Sequence, residues 1–401
     1  MRIVIIGSGF AGMYAALSAA RLRDIQGVSP EEIEIALVAP EPTLVVRPRL
    51  YESKPETLTA PLLEVLNAID VVYVQGSAET IDTKSRAVEV VTAKGERKKL
   101  AYDRLVLATG SRLFRPNIPG LAERGFSVDQ LHDAIALDRH LHGLAERPAL
   151  NGRDTVVVAG GGFTGIETAT EMPTRLRAIL GKDATPRVII VDRNGAIAPD
   201  MGASPRPVIE DALRKLGVET RVGAGVASLD DSGVTLTSGE RIEAETVIWA
   251  AGMRAAPLTA QIPAERDNFG RLLVDRHLRV PSVAGVFATG DAARAASDDL
   301  GNYALMSCQH ATRMGAFAGN NAAAELLGVP TKPYHQEAYA TCLDLGEAGA
   351  IFTRGWERKL ELVGAEAKKT KQQINTVWIY PPRAERAAAL ASADPEHVGE
   401  V

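Results

Sequence analysis

Short apolar runs that end in small-residue turns recur along the chain. Residues 3–6 (IVII), 155–159 (TVVVA) and 188–191 (VIIV) are continuously apolar, which is typical of strands buried on both faces of a parallel sheet. Ala-rich or amphipathic stretches at residues 13–23 and 166–171 follow two of these runs and predict helices. This alternation predicts an α/β protein with parallel sheets.

The first apolar run leads into a turn that is suited to a dinucleotide. The turn reads GSGFAG over residues 7–12 and opens the first helix. Gly7 permits the tight turn, Gly9 lets the backbone approach a pyrophosphate, and Gly12 lets the helix pack on the strand. The helix N-terminus then offers free N–H groups to the phosphates. We predict that Gly7, Gly9, Phe10, Ala11 and Gly12 bind a first dinucleotide.

The same pattern occurs a second time, at residues 155–171. A strand leads into GGGFTG at residues 160–165, and the following strand ends in Asp192, which can hold both ribose hydroxyls of an adenosine. Two such units indicate two dinucleotides, of which the usual pair is a flavin and a nicotinamide. The predicted contacts of the second unit are Gly160, Gly162, Phe163, Thr164, Gly165 and Asp192.

The first unit lacks a standard acidic partner for its ribose. Ala39 stands where Asp or Glu is expected, so we assign that role to Glu41, with the alternative that this ribose has no carboxylate partner. Arg47 follows the second strand of the unit and is predicted to line the flavin or acceptor pocket; a structural surface role is the alternative.

Three further stretches end in small-residue turns. Residues 105–110 and 247–252 each predict a strand and a turn, and residues 285–291 predict a strand that meets a helix. In a flavin site Asp291 can accept from a ribityl hydroxyl, although an isolated Asp there is more often an N-cap. The predicted contacts are Ala108, Thr109, Gly110, Ala251, Gly252, Gly290 and Asp291.

Composition narrows the choice of partners and compartment. The 45 Lys and Arg against 50 Asp and Glu give a net charge of −5, so we expect no nucleic-acid partner. Two cysteines in 401 residues exclude a disulfide scaffold, and no Cys/His cluster has the spacing of a metal site. An apolar start too short for an export signal, and no run of about 18 apolar residues, predict a cytoplasmic protein without a transmembrane segment.

These stretches resemble the pyridine nucleotide–disulfide oxidoreductase superfamily, and within it the type II NADH dehydrogenases and related NADH dehydrogenase-like flavoproteins. The likeness covers most of the chain and rests on GSGFAG, ATG, GGGFTGIETATE, AAG, ATGDAA, CQHATRMG at residues 308–315 and INTVWIYPP at residues 374–382. It implies an α/β fold of two Rossmann-like domains, one for FAD and one for NAD(P)H, the second inserted in the first, plus a C-terminal α+β region.

The resemblance also implies domain boundaries. Residues 1–115 would form the first part of the FAD-binding domain, 116–149 a connecting segment with a crossing helix, and 150–255 the NAD(P)H-binding domain. Residues 256–325 would complete the FAD-binding domain, and 326–401 would form a C-terminal region for acceptor access and homodimer contact.

The activity implied is that of an FAD-dependent NAD(P)H oxidoreductase, which transfers a hydride from NADH to flavin N5 and then electrons to a quinone or other small acceptor. Asp192 favours NADH because it would repel a 2′-phosphate, while Arg193 leaves NADPH open. Cys308 and Gln309 would lie in a first helical turn that faces the flavin. The resemblance implies three catalytic residues, Glu167, Gln309 and His310. Glu167 would relay a proton; alternatively, it would only complement the helix dipole from the first turn of its helix.

The sequence also departs from the family pattern. Met314 stands where quinone-reducing relatives carry a second Gln, which weakens the quinone assignment. The dithiol of the disulfide-reducing branch is absent, so Cys308 and Cys342 are either a nonstandard redox pair or, as we favour, two buried thiols. A reductase for a ferredoxin- or rubredoxin-type protein and a non-catalytic flavin-binding redox sensor stay open as alternatives.

The C-terminal residues leave two kinds of contact open. Lys371 and Trp378 could form a weak interfacial face for a peripheral membrane contact, but docking on the body of the protein or a dimer contact is favoured. The only concentrated basic patch predicted lies at residues 368–371, and the residues after 383 are expected to fray.

Overall fold

The protein is described here by a computed structural model that covers residues 1–149 and 152–397. The α-helices of these residues are α1 (Phe10–Ile25), α2 (Leu63–Ala68), α3 (Leu121–Arg124), α4 (Leu131–Gly143), α5 (Phe163–Leu180), α6 (Arg206–Lys215), α7 (Cys308–Leu327), α8 (Gly364–Gln373) and α9 (Arg386–Ala391). Single turns of 3₁₀-helix occur at Arg47–Arg49, Pro55–Thr57, Leu144–Glu146, Pro199–Met201, Pro257–Gln261, Gly290–Ala292 and Gly346–Ala348, and a π-helical turn at Ile374–Trp378.

A first parallel sheet of five strands forms around the N-terminal strand. Its strands, in spatial order, are Val286–Ala288, Arg104–Leu107, Arg2–Ile6, Glu34–Ala39 and Val72–Gln75. The edge strand Val286–Ala288 begins almost 180 residues after the end of its neighbour in the sheet, Arg104–Leu107. The first sheet therefore closes only with a strand from the later part of the chain.

A second parallel sheet repeats this plan. Its strands, in spatial order, are Gly125–Phe126, Thr246–Trp249, Thr155–Ala159, Arg187–Asp192 and Val218–Val222. The central strand Thr155–Ala159 is completely buried, as the continuous apolar run predicts. The prediction of an α/β fold with two Rossmann-like units is confirmed. The exact domain boundaries stay predictions. Two of these boundaries fall at residues 150, 151 and 398–401, which lie outside the described part of the chain.

Smaller antiparallel sheets surround these two units. Three-stranded sheets form at Ser77–Asp82, Ala87–Val91 and Arg97–Ala101, at Val226–Asp230, Gly233–Leu236 and Arg241–Glu243, and at Ala340–Asp344, Ala350–Arg354 and Lys359–Val363. Two-stranded pairs are Thr43–Val45 with Thr59–Pro61, Ser111–Leu113 with Met253–Ala255, and Leu272–Leu273 with Ala293–Arg294. The last of the three-stranded sheets carries α8 and forms the C-terminal α+β region.

Helices α1 and α7 pack closely through small residues. A Cβ atom on Gly315 would lie 2.2 Å from the Ala11 carbonyl oxygen, and one on Gly319 would lie 2.0 Å from the Ala15 carbonyl oxygen. Glycine at these two positions therefore lets the backbones of α1 and α7 touch. This packing fixes the first turn of α7 relative to the turn at residues 7–12.

Two local expectations were wrong. Asp291 follows its strand in a single 3₁₀ turn rather than in a helix. Residues 384–397 do not fray, since α9 packs on α1 and α2 with Leu390 buried, and Arg386 pairs with Asp24 and Asp70.

Candidate active site

The two glycine-rich turns have the same geometry. Gly7 and Gly160 have φ of +110° and +122°, which glycine adopts without strain. A Cβ atom on Gly12 would lie 1.8 Å from the Gly7 carbonyl oxygen, and one on Gly165 would lie 1.8 Å from the Gly160 oxygen. The equivalent glycines of both turns are therefore required for close packing of helix on strand.

The space in front of both helices fits a phosphate group. Nothing lies within 4 Å of an ideal Cβ atom on Gly9 or Gly162, which precede α1 and α5. Neither helix has an acidic residue in its first turn, and neither N-cap residue forms a side-chain capping hydrogen bond. The positive ends of both helix dipoles thus face open space, as a bound pyrophosphate requires.

Asp291 is the centre of a polar cluster beside the first turn. Its Oδ2 accepts from Ser111 Oγ at 2.6 Å and lies 3.5 Å from Arg47 Nη1. Arg47 also pairs with Asp129 and donates from Nε to the Asp129 carbonyl at 3.0 Å. Burial raises the pKa of Asp291, and the Arg47 charge opposes that rise. Arg47 therefore holds the Asp291 carboxylate in place at the predicted flavin side.

Three buried polar atoms next to this cluster have no partner among the described residues. They are Thr109 Oγ1, Thr289 Oγ1 and Gln309 Oε1. Thr109 and Thr289 follow neighbouring parallel strands of the first sheet, at the edge where ligands bind in such sheets. Because buried polar atoms normally form hydrogen bonds, these atoms fit a polar cofactor such as FAD.

Asp192 ends the second strand of the second unit. Its Oδ2 accepts from the Gly161 backbone N–H at 2.5 Å, and its Oδ1 accepts from the Asn194 backbone N–H at 2.7 Å. The carboxylate is therefore held against the glycine-rich turn, where the adenosine ribose of a nicotinamide dinucleotide binds in this fold. Its predicted role in binding the ribose stays a prediction.

Glu167 forms a buried ion pair with a lysine of the C-terminal region. Lys371 Nζ lies 2.7 Å from Glu167 Oε1, and the two side chains are only 6% and 5% exposed. The Asp344 backbone N–H also donates to Glu167 Oε1 at 3.0 Å. Burial raises the pKa of Glu167 to about 7 although the Lys371 charge lowers it. This geometry replaces the interpretation of Glu167 as a simple complement to the helix dipole.

A second ion pair lies beside the first. Lys368 Nζ lies 2.5 Å from Asp344 Oδ1, and Tyr51 Oη donates to Asp344 Oδ2 at 3.4 Å. Glu171, one turn after Glu167 on α5, faces this pair, and burial followed by the Asp344 charge raises its pKa to about 7. Two carboxylates with a pKa of about 7, those of Glu167 and Glu171, thus lie between α5, α8 and strand Ala340–Asp344.

The first turn of α7 connects these two regions. Ser307 caps the helix and accepts from the His310 backbone N–H. The charges of Lys371 and Asp291 both act on the thiol of Cys308, so Cys308 lies within electrostatic range of the Asp291 cluster and of the Glu167–Lys371 pair. Helix α7 begins where the sequence predicts. Gln309 follows Cys308 in this turn.

His310 is completely buried under two aromatic rings of the C-terminal region. Its ring lies 5.1 Å from Tyr339 and 5.8 Å from Trp356, and its Nδ1 is 2.9 Å from Ser307 Oγ. Burial, with a contribution from Arg358, lowers the pKa of His310 to about 4. At neutral pH His310 is uncharged and holds no extra proton to donate, so an orienting role fits better than that of an acid.

The two cysteines are both free thiols. Burial raises the pKa of Cys308 and raises that of Cys342 to about 12. High pKa values disfavour the reactive thiolate at neutral pH. Cys342 is buried, as the favoured interpretation has it, whereas Cys308 is only half-buried, and the raised pKa values of both fit unreactive thiols better than a redox pair.

Several further expectations need correction or stay open. Lys371 is buried against Glu167 and Lys368 is paired with Asp344, so residues 368–371 form neither a basic patch nor an interfacial face with Trp378. Met314 lies in the apolar core and is fully buried. Glu41 is exposed, and its role stays a prediction, as do the other predicted cofactor contacts.

Sequence reasoning missed the residues that complete the site. Lys371, Asp344, Lys368 and Tyr51 lie far from Glu167 in the chain and belong to no motif. Because Lys368 and Lys371 are three residues apart, the sequence could have indicated that they share one face of α8. It could not have indicated the carboxylates with which they pair.

Two further properties of the described residues bear on the site. Within residues 1–149 and 152–397, no group of three or more His, Cys, Asp or Glu side chains is arranged to hold a metal ion. No helix in this part of the chain is both long and apolar enough to cross a membrane.

Comparison with known proteins identifies the class. Residues 1–315 match the pyridine nucleotide-disulphide oxidoreductase family, and the chain belongs to that family. It is 48% identical over 397 residues to an NADH dehydrogenase-like protein of Mycobacterium tuberculosis, with 98% of both chains covered. It is 28% identical over 360 residues to the demethylphylloquinone reductase of Synechocystis, with 88% of this chain and 86% of that protein covered. The chain is an NAD(P)H oxidoreductase, and family membership supports a flavin and a nicotinamide as cofactors.

Solved structures show the same fold. NDH2 from Plasmodium falciparum in complex with NADH superposes with a TM-score of 0.78 at 15% identity, covering 97% of this chain and 96% of that one. The sulfide:quinone oxidoreductase from Aquifex aeolicus superposes with a TM-score of 0.77 at 19% identity, covering 97% and 92%. The oligomeric state and the compartment of this chain stay predictions.

Proposed function

We propose that the chain is an FAD-dependent NADH oxidoreductase that reduces a small quinone-like acceptor. The observation that carries the proposal is the junction at the first turn of α7. This turn carries Gln309, whose Oε1 is buried without a partner among the described residues, and Cys308, on whose thiol the charges of Lys371 and Asp291 both act. One turn of helix thus connects a predicted flavin side with a carboxylate that titrates near neutral pH.

The residues of this chain would hold both cofactors. The turn at residues 7–12 and the N-terminus of α1 would bind the pyrophosphate of FAD, and Asp291 would accept from a ribityl hydroxyl. The turn at residues 160–165 and Asp192 would bind NADH, and the negative charge of Asp192 disfavours the 2′-phosphate of NADPH. FAD, when bound, accepts a hydride from the nicotinamide and passes two electrons to an acceptor.

The acceptor side is supported by polar groups that suit a carbonyl oxygen. The side-chain amide of Gln309 can donate to a quinone oxygen, and Glu167 can hold or release a proton at Oε1 near neutral pH. Relatives include the demethylphylloquinone reductase of Synechocystis and a type II NADH:quinone oxidoreductase of Mycobacterium tuberculosis, to which the chain is 30% identical over 330 residues. A ferredoxin-type carrier is less favoured because Lys368 and Lys371 are already paired with carboxylates.

Anaerobic half-reactions test this function. The purified yellow protein is mixed with NADH or NADPH and its flavin absorbance is followed, and the reduced protein is then mixed with a water-soluble benzoquinone. We expect rapid bleaching by NADH, slower bleaching by NADPH, and recovery of absorbance with the quinone. A flavin that keeps its absorbance with both nucleotides would overturn the proposal, and reoxidation by carrier proteins but not by quinones would overturn the acceptor.

A further inference from the structure

The cluster around Glu167 contains more carboxylates than lysine cations. Glu167 pairs with Lys371, and Asp344 pairs with Lys368. Glu171 is the third carboxylate, and because it is four residues from Glu167 on α5, the two side chains lie on the same face of that helix. Three carboxylates therefore share two ammonium groups.

Other charged groups that face the cluster do not remove this excess. Arg175 is committed to Asp138 at 2.6 Å, and Glu52 is committed to Arg49 at 2.7 Å. Burial raises the pKa of Tyr51 well above its usual value, so its hydroxyl stays protonated and donates. The excess carboxylate can therefore be neutralised within the cluster only by binding a proton.

The cluster has a deep side and an outer side. The Glu167 and Lys371 side chains are 5% and 6% exposed, whereas those of Asp344 and Lys368 are 9% and 29% exposed. The two pairs are joined, since the Asp344 backbone N–H donates to Glu167 Oε1 at 3.0 Å. The partly exposed pair is thus attached directly to the residue that carries the deep pair.

We propose that Glu171, together with Asp344 and Lys368, supplies Glu167 with the proton that reduction of the acceptor consumes. This inference rests on the proposed function. For a quinone-like acceptor A the reaction is NADH + H⁺ + A → NAD⁺ + AH₂, in which the hydride brings two electrons and one hydrogen and the solvent brings the second hydrogen as a proton. Glu171 acts through Glu167, by holding a proton beside it; Glu167 itself is the group that faces the acceptor.

Proton binding by the oxidised holoenzyme tests the charge count directly. A potentiometric titration between pH 8.5 and 5.5 compares wild type with Glu171→Gln. We expect the variant to take up about one proton fewer, in a step centred near pH 7, because two carboxylates would then balance two lysines. Glu366→Gln is the matched control, since this exposed carboxylate on α8 pairs with Lys369 and lies outside the cluster. An unchanged proton count in Glu171→Gln would overturn the proposal.

The two half-reactions separate proton supply from a structural role. In Glu171→Gln we expect NADH to bleach the flavin at an unchanged rate. Reoxidation of the reduced flavin by a benzoquinone at pH 8 should be about tenfold slower. Reoxidation by ferricyanide should keep its rate, because ferricyanide takes no proton. Glu171→Asp should restore most of the quinone rate. Equal slowing with quinone and ferricyanide would mean that the substitution only disturbs the structure. Failure of the wild type to bleach with either nucleotide would refute the proposed function instead.

A second pair of variants serves if Glu171→Gln does not fold. Lys368→Met removes one cation from the cluster, so the midpoint of proton uptake and of the pH profile for quinone reoxidation should both move to higher pH. Lys369→Met, on the exposed side of α8, should leave both midpoints unchanged. Unshifted midpoints in Lys368→Met would overturn the proposal.

Discussion

Glu167 is a buried carboxylate whose charge is balanced by a residue 204 positions later in the chain. The motif around it fixes its place on the first turns of α5, because the glycines before it set the start of that helix. Nothing in the motif specifies the partner. The chemistry of this residue therefore depends on how the C-terminal region docks.

Replacement of Lys371 tests that dependence. Lys371→Met should reduce the free energy of unfolding at pH 8 by about 3 kcal/mol, because it leaves the Glu167 charge buried and unpaired. At pH 5.5 the loss should be smaller, since Glu167 is then protonated and neutral. Chemical denaturation of the holoenzyme at both pH values measures the difference. Lys369→Met is the exposed control, and an equal loss at both pH values would contradict the buried-charge explanation.

Asp192 permits a test of nucleotide choice. Asp192→Asn keeps an oxygen that accepts from the Gly161 N–H but removes the negative charge. We expect kcat/KM for NADPH relative to that for NADH to increase by about tenfold, because one ionic repulsion of roughly 1.4 kcal/mol is relieved. Steady-state kinetics with both nucleotides measures the ratio. Asp211→Asn, on the exposed face of α6, should leave the ratio unchanged, and an unchanged ratio in Asp192→Asn would refute the assigned role.

At the level of secondary structure, the contact between α1 and α7 positions the acceptor side relative to the flavin side. The two helices touch backbone to backbone at Gly315 and Gly319. The first turn of α7 then lies beside the first turn of α1, since Gly290 and Ala311 pack near Ala11. Small residues at these positions are thus a condition for the geometry of the site.

Gly319→Ala should separate the two helices. The new Cβ atom would meet the Ala15 backbone, which cannot move without shifting α1, so we expect a loss of about 1–3 kcal/mol in stability and weaker retention of FAD. Thermal unfolding and flavin content measure both effects. Gly143→Ala is the matched control: this glycine at the end of α4 has nothing within 4 Å of an ideal Cβ atom, so stability should rise slightly. Unchanged stability and flavin content in Gly319→Ala would contradict the role of this contact.

At the level of the whole molecule, the sequence predicts contiguous features well and distant ones poorly. The turns at residues 7–12 and 160–165 are local, so their strands, helices and glycine geometry follow from the motif itself. The partners of Glu167 come from α8 and from strand Ala340–Asp344, and no periodicity relates them to it. The same reason explains why the sequence leaves an exposed face for Lys371 open: a charged residue on a short helix is usually exposed.

The half-buried His140 makes the stability of the protein depend on pH. Burial and the Arg147 charge lower the pKa of His140 to about 4, so its stabilising contribution is complete above pH 6.5 and is lost as the pH falls through 4. In His140→Gln the melting temperature should therefore fall less steeply between pH 6.5 and 4 than in wild type. His142→Gln, exposed on the same helix, should keep the wild-type slope. Parallel melting curves for His140→Gln and wild type would contradict this origin of the pH dependence.

The edge strand Val286–Ala288 of the first sheet has a consequence for biosynthesis. During translation, three strands of this sheet leave the ribosome early: Arg2–Ile6, Glu34–Ala39 and Arg104–Leu107. Their sheet and its helix layer are incomplete until residues 286–288 and α7 have been synthesised. All strands of the second sheet have been synthesised sooner, because they lie between residues 125 and 222 or at 246–249. Because domains generally fold as units during synthesis, the second unit should fold first and the N-terminal unit last, with its apolar strands exposed to chaperones in the interval.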